Sequence, residues 1–211
     1  QNLKVLHDVA ERSGAKVLAA LKAFSYWPLG ELTASYLNGI CASGLHEAKL
    51  GHEYYRGANG QGEVHVYSAG FTESDLQEIL SFADHVVFNS FSQLRKFMPM
   101  LHQAKASREI SFGLRINPEH SEGAIEIYDP CAKGSRLGTS FGEFAKQDDL
   151  QQLLAVVDGF HFHTLCEQGF EPLARTLDAV EKTFGEFLPK LKWLNLGGGH
   201  HITAAGYNRD A

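Results

Sequence analysis

Short apolar runs alternate along this chain with amphipathic stretches, and the alternation predicts strand and helix in turn. Leu3, Leu6, Val9 and Ala10 share one face of an opening helix. Val17-Leu18-Ala19-Ala20-Leu21 then reads as a fully buried strand that runs on through Lys22-Ala23-Phe24. Residues 28–37 are predicted helical, closed by Asn38-Gly39, and residues 40–43 form a very short strand. A helix through residues 47–51 leads into a glycine-rich stretch, 57–62, and residues 64–68 return to strand. Thr72 is a good N-cap, with Asp75 at the third helical position, for a helix to about residue 82. Strand is predicted over 85–89, helix from 91 to about 103, and strand over 110–116, carrying Arg115 near its end. Residues 117–142 have little periodicity and read as a long polar loop. A helix over 149–156, a strand over 159–163, a long amphipathic helix over 170–187 and a strand over 191–196 complete the pattern. That strand runs into Gly197-Gly198-Gly199.

Seven strands separated by helices imply right-handed parallel crossovers, hence a parallel α/β sheet, open or closed into a barrel. Many short strands favour the closed (β/α)8 form. A dinucleotide fold would carry its glycine fingerprint after the first strand. Here the glycine run follows the last. No internal repeat or low-complexity segment is present.

Composition narrows the function classes. Of 211 residues, 44% are hydrophobic and 21% charged, ordinary for a globular domain. A net charge of −6 with no basic cluster argues against nucleic-acid binding, and no apolar run approaches a membrane span. Cys41, Cys131 and Cys166 are odd in number and far apart, which predicts no disulfide framework and a reducing compartment, most simply the cytoplasm. The chain opens inside a helical pattern and stops after Tyr207-Asn208-Arg209-Asp210-Ala211 without a closing element. A partial domain is therefore expected.

In a (β/α)8 barrel the site lies at the carboxyl ends of the strands. Those ends carry Lys22, residues 41–43, Tyr67-Ser68, Asn89-Ser90, Arg115, His163 and the three glycines. An ammonium at the end of a buried strand either sits in water or is desolvated and used as a nucleophile toward a carbonyl, including that of pyridoxal phosphate (PLP). Gly197 to Gly199 is either a tight turn or a phosphate cradle ahead of a helix, where backbone amides approach an anion closely. Arg115 is as readily a salt-bridged strand end as a site residue. His161 and His163 share a strand face at period two, so a metal pair is the rival reading, although two more ligands would be needed.

Several segments carry a resemblance. They are residues 20–25 (ALKAFS), 42–51 (ASGLHEAKLG), 87–90 (VFNS), 113–118 (GLRINP), 135–138 (SRLG), 160–163 (FHFH) and 196–199 (LGGG). Together and in this order they resemble the fold-type III PLP-dependent decarboxylases, the ornithine and diaminopimelate decarboxylase group related to alanine racemase. Within that group they are most similar to the carboxynorspermidine/carboxyspermidine decarboxylase family of polyamine biosynthesis.

The resemblance implies a PLP-binding (β/α)8 TIM-type barrel over residues 1–211, incomplete at both ends. The first strand, the last strand and a C-terminal β-domain would lie outside this chain, and the fragment alone would be inactive. Lys22 would be the lysine that holds the cofactor covalently, and His163 the imidazole stacked on its ring. Gly197, Gly198 and Gly199 would hold the phosphate, with Cys166 touching it, and Arg115 and Glu47 would support the site. Glu167 would suit the cationic distal end of a carboxylated polyamine substrate, whereas Ile40, near a position that is acidic in ornithine decarboxylases, weakens ornithine as substrate. The expected activity is release of CO2 from carboxynorspermidine or carboxyspermidine by a homodimer that binds no metal, nucleic acid or membrane. The competing readings are another decarboxylase of the group, a metal-dependent barrel hydrolase, and a non-catalytic PLP-binding relative.

Overall fold

In the computed structural model, which describes residues 1–123 and 126–210, the chain divides into two units, Gln1–Val86 with Pro99–Ile110, and Val87–Met98 with Ser111–Ala211. Two residues of the expected loop, Ala124 and Ile125, and the terminal Ala211 lie outside the described residues.

The first unit begins with helix α1 (Asn2–Ser13), closed by Gly14 at φ 70°, the left-handed conformation that suits glycine. Strand β1 (Leu18–Ala20), helix α2 (Gly30–Ala34), β2 (Gly39–Ala42), α3 (Leu45–Tyr54), β3 (Glu63–Tyr67) and α4 (Glu73–Ile79) follow. Strand β4 (His85–Phe88) gives its first two residues to this unit, and α5 (Phe91–Ser107) gives its part from Pro99 onward. Strands β1, β2 and β3 pair in parallel, with Leu18, Gly39 and Glu63 level with one another. Leu21, Ile40, Val64, Val66, Leu76 and Ile79 form the core against the helices.

Two expectations change here. The strand proposed over residues 17–24 stops at Ala20, because Ala23 and Phe24 both donate to the Ala20 carbonyl and fold the next residues into a turn. Lys22 rides on that turn and is exposed, not desolvated on a buried strand. The helix expected over 28–37 is a 3-10 turn (Trp27–Leu29) followed by the five residues of α2. The Thr33 and Ser35 hydroxyls bond back to the Leu29 and Leu32 carbonyls, a competition that shortens helices.

The second unit contains β5 (Ser111–Asn117), β6 (Thr139–Ser140), α6 (Phe141–Phe144), α7 (Leu150–Leu154), β7 (Gly159–His161), α8 (Phe170–Phe184) and β8 (Trp193–Asn195). Strand β7 pairs in parallel with both β5 and β8, and β5 also pairs with β6, a two-residue strand inside what reads as a polar loop. Phe88, Phe97, Phe112, Phe144, Phe160, Phe162 and Phe184 are almost fully buried. Edge-to-face contacts join several of them, such as Phe144 with Phe184 at 5.3 Å.

One device fixes register in both units. Asn38, Asp84 and Asp158 each precede a strand and donate their backbone N–H to the carbonyl of a neighbouring segment, at Val17, Val64 and Phe112. Each then accepts, through its side-chain oxygen, the N–H of that same residue, at 2.9, 2.8 and 3.0 Å. A one-residue slip would break both bonds of each clamp. Among the described residues no helix is long and apolar enough to cross a membrane.

Candidate active site

In the first unit, the carboxyl ends of β1 and β2 bring three sequence-predicted groups into electrostatic reach. Burial pushes the Cys41 thiol up from its ordinary range, the Lys22 ammonium pulls it down in part, and Glu47 pushes it up again. Glu47 sits in the first turn of α3, and its Oε2 accepts the Ser43 N–H at 2.7 Å. The ASGLHEAKLG stretch therefore closes on itself, with a carboxylate covering an amide at the helix start.

In the second unit, β5, β7 and β8 carry the rest. Arg115 is buried, at 4% exposure, and donates from Nη2 to the His163 carbonyl at 3.2 Å. His163 lies just past the end of β7, where its Nδ1 accepts the Gly198 N–H at 3.1 Å. An Nδ1 that accepts carries no proton, so the ring proton belongs on Nε2. Asn195 ends β8, and its Oδ1 accepts both the Gly197 N–H at 2.8 Å and a bond of 3.0 Å with His161 Nδ1. Burial above all, then the neighbouring Arg115 and His163, lowers His161 to about 3 and keeps it neutral, although the Asn195 bond pulls the other way.

The glycine run needs its glycines. Gly197 and Gly199 have φ of 73° and 87°. A Cβ on Gly197 would lie 2.8 Å from His163 Cα, and one on Gly199 would lie 3.0 Å from the Cys166 amide nitrogen and against the Leu165 carbonyl. Among the described residues no helix follows the run, so the expected helix dipole is absent. The support comes instead from Gln168. Its N–H donates to the Gly199 carbonyl, its own carbonyl accepts from His201, and its side chain accepts the Cys166 N–H while donating to the Glu122 carbonyl. Cys166 and Glu167 are exposed on this turn, Glu167 at φ 55°.

Two motifs far apart in sequence also meet. Asn89 Nδ2 donates to the Arg136 carbonyl at 2.8 Å, its Oδ1 accepts the Gly138 N–H at 2.8 Å, and its carbonyl accepts the Thr139 hydroxyl at 3.1 Å. The VFNS segment thus anchors SRLG. Asn195, Gln168 and Asn89 are organising residues, of which only Asn89 stood in a motif that the sequence reading used. Asn195 was legible in principle as an amide two residues before the glycine run.

Among the described residues, His161 and His163 do not meet a third metal-capable side chain. Among the described residues the one cluster of three metal-capable side chains is Glu63, His65 and His85, in the first unit.

No protein-family model matches the chain. It is 41% identical over 208 residues to the carboxynorspermidine/carboxyspermidine decarboxylase of Campylobacter jejuni, covering 99% of this chain and 50% of that protein. It is 39% identical over 210 residues to the carboxyaminopropylagmatine decarboxylase of Synechocystis, covering 100% and 51%. It is 38% identical over 215 residues to the carboxynorspermidine/carboxyspermidine decarboxylase of Herminiimonas arsenicoxydans, covering 100% and 54%. The chain thus spans about half the length of the curated relatives it matches. Among solved structures, Campylobacter jejuni carboxynorspermidine decarboxylase complexed with norspermidine matches with a TM-score of 0.83 at 38% identity, over 99% of this chain and 50% of that one. Helicobacter pylori diaminopimelate decarboxylase complexed with L-lysine matches with a TM-score of 0.76 at 18% identity, over 94% and 52%, a likeness of fold. The α/β fold class and the resemblance read from the sequence are borne out.

Proposed function

We propose that this chain, a relative of the carboxynorspermidine/carboxyspermidine decarboxylases, serves PLP-dependent decarboxylation of carboxynorspermidine or carboxyspermidine to norspermidine or spermidine. The observation that carries the proposal is identity of 41% along 99% of the chain to a decarboxylase of that name.

The residues present fit the cofactor. A primary amine is exposed on the turn after β1, where a carbonyl can reach it. Gly197 and Gly199 are packed against residues 162–166 so tightly that neither has room for a side chain. Beside it lie a buried guanidinium and an imidazole of fixed orientation. Lys22 would hold the cofactor covalently, Gly197 to Gly199 and Cys166 would hold its phosphate, and His163 would cover its ring. The chemistry the cofactor would supply there is an electron sink for the bond between the substrate's Cα and its carboxylate.

The chain's own residues supply orientation. Gly198 N–H fixes the His163 ring and leaves its proton on Nε2. Asn195 ties the first glycine to the buried, neutral His161, so the cradle cannot move independently of β7. Arg115 holds the chain at the His163 carbonyl and adds a fixed positive charge. Glu47 supports the Lys22 side by bracing the segment after β2. Glu167 is the proposed contact for the distal cation of the substrate. The assembly is proposed to be a homodimer.

The Synechocystis relative favours one variation, in which the distal cation is the guanidinium of carboxyaminopropylagmatine. Carboxylate recognition suits either cation. The test is the absorbance spectrum of the purified full-length protein before and after borohydride, with peptide mapping, then CO2 release from all three conjugates. A yellow protein with the adduct on Lys22, colourless as Lys22→Ala, is expected. A protein that ignores added PLP, or a Lys22→Ala variant that keeps its colour, would overturn the reading.

A further inference from the structure

We propose that Glu63, His65 and His85 form a binding site for a divalent transition-metal ion of the zinc class, at the end of the first unit's strands away from Lys22. Glu63 opens β3 and His85 opens β4. Glu63 is level with Leu18 and Gly39, the first residues of β1 and β2, whereas Lys22 lies beyond the last residue of β1. The inference therefore stands apart from the decarboxylase reading.

Three donors converge. Glu63 Oε2 lies 2.9 Å from His65 Nε2 and 3.9 Å from His85 Nε2, and the ligand atoms of all three residues lie within 4.8 Å of one another. Bonds of about 2.0 Å at tetrahedral angles would place donor atoms about 3.3 Å apart, between the two distances seen. The side chains are 22%, 13% and 17% exposed, so the site is mostly withdrawn from water but remains open. The imidazoles stack face to face, 3.9 Å between centroids and 13° from parallel, so one ring has to turn about its Cβ–Cγ bond for both nitrogen lone pairs to meet a common ion.

Lys16 pairs with Glu63 Oε1, which leaves Oε2 facing both imidazoles. A polar cleft of about 240 Å³, lined in part by Lys16, Asn38, Arg56, Gln61 and Glu63, opens on the Lys16 side of the carboxylate. An ion would replace the proton that His65 Nε2 donates to Glu63, moving that proton to Nδ1 or to solvent. Two imidazoles and one carboxylate suit Zn²⁺ or Co²⁺ rather than Mg²⁺ or Ca²⁺, and three protein ligands leave a fourth position for water.

A Glu–His hydrogen bond alone would explain 2.9 Å between Glu63 and His65. It does not call for a second imidazole turned to the same oxygen. The two accounts separate in a titration of untagged, chelator-treated full-length protein with Zn²⁺ alone, and with Co²⁺ read by its visible spectrum. One ion per chain is expected, with the intense bands of four-coordinate cobalt. His85→Ala and Glu63→Gln should each weaken binding at least about tenfold, and Lys16→Met should strengthen it by removing the competing ammonium. Circular dichroism and unfolding curves show that the variants remain folded. Zinc bound equally well by parent and His85→Ala, or cobalt with only the weak spectrum of the hydrated ion, would overturn the proposal.

Discussion

Trp193 offers the sharpest test of the packing that holds β5, β7 and β8 in place. Its indole lies across Gly159 of β7 and Gly113 of β5, the residues level with it in the sheet. A Cβ on Gly113 would lie 3.0 Å from indole Cζ2 and 3.2 Å from Val87 Cγ2. A Cβ on Gly159 would press onto the indole face, far closer than the ~3.5–4.0 Å at which two carbons rest. Gly159→Ala must therefore displace the indole, and overpacking of this kind costs about 1–3 kcal/mol. Displacement also breaks the bond from Trp193 Nε1 to Ser111 Oγ, 2.8 Å long. That loss adds about 1 kcal/mol. The expected destabilisation is about 2–4 kcal/mol, a fall in Tm of roughly 5–12 °C for a chain of this size.

A double-mutant cycle isolates the cause. In a Trp193→Leu background the same alanine should be nearly neutral, or gain about 0.5–1 kcal/mol because glycine is a poor strand residue. Urea unfolding followed by fluorescence is the assay, with Trp27, the other tryptophan, replaced by Phe so that Trp193 reports alone wherever it is retained. In the Trp193→Leu background, which then has no tryptophan, far-ultraviolet circular dichroism follows unfolding. Equal costs of Gly159→Ala in the two backgrounds would refute the reasoning.

Other outcomes follow from the same geometry. Asn195→Ala removes the acceptor shared by Gly197 N–H and His161 and should cost about 2 kcal/mol, with Asn195→Asp recovering most of it; an alanine variant within error of the parent would sink the role given to Asn195. His161 has its pKa lowered by burial to about 3 from an ordinary 6.5, so the folded state resists protonation. Its stabilising contribution is complete above pH 6.5 and is lost as pH falls from there toward 3, by up to about 1.4 kcal/mol per pH unit. His161→Gln should flatten the stability profile between pH 6 and 4.5, and an unchanged slope would count against the assignment. Thr72 caps α4 by accepting the Asp75 N–H at 3.2 Å, so Thr72→Ala should cost about 1 kcal/mol in thermal denaturation.

The alternation of strands and helices was legible because parallel strands are buried on both faces and read as apolar runs. Strand ends were less so. The run from Val17 to Phe24 is uniformly apolar apart from Lys22, and nothing in it marks Ala20 as the place where main-chain bonds fold back. The SRLG segment was legible as a motif, but its docking on Asn89 depends on bonds between residues about fifty positions apart. His161 and His163 shared a predicted strand face, yet one ring turns to Asn195 and the other meets Gly198, because the strand ends between them. The Glu63, His65 and His85 group was invisible for a related reason. Its members lie on two strands twenty residues apart, with no motif spacing to announce them.

The shared oxygen of Asn195 also constrains how this region can drift in evolution. One atom serves both a buried imidazole and the first amide of the glycine run, so positions 161, 195 and 197 are not free to change one at a time. A neutral replacement at 161 still leaves the amide of 197 needing its acceptor, and a change at 195 disturbs both partners together. Lineages that depart from the His–Asn–Gly set should do so by linked replacements, through intermediates that carry a measurable fitness deficit. Positions 161 and 195 should therefore covary as a block in an alignment of relatives, while Glu167, exposed on the neighbouring turn, lies outside that constraint.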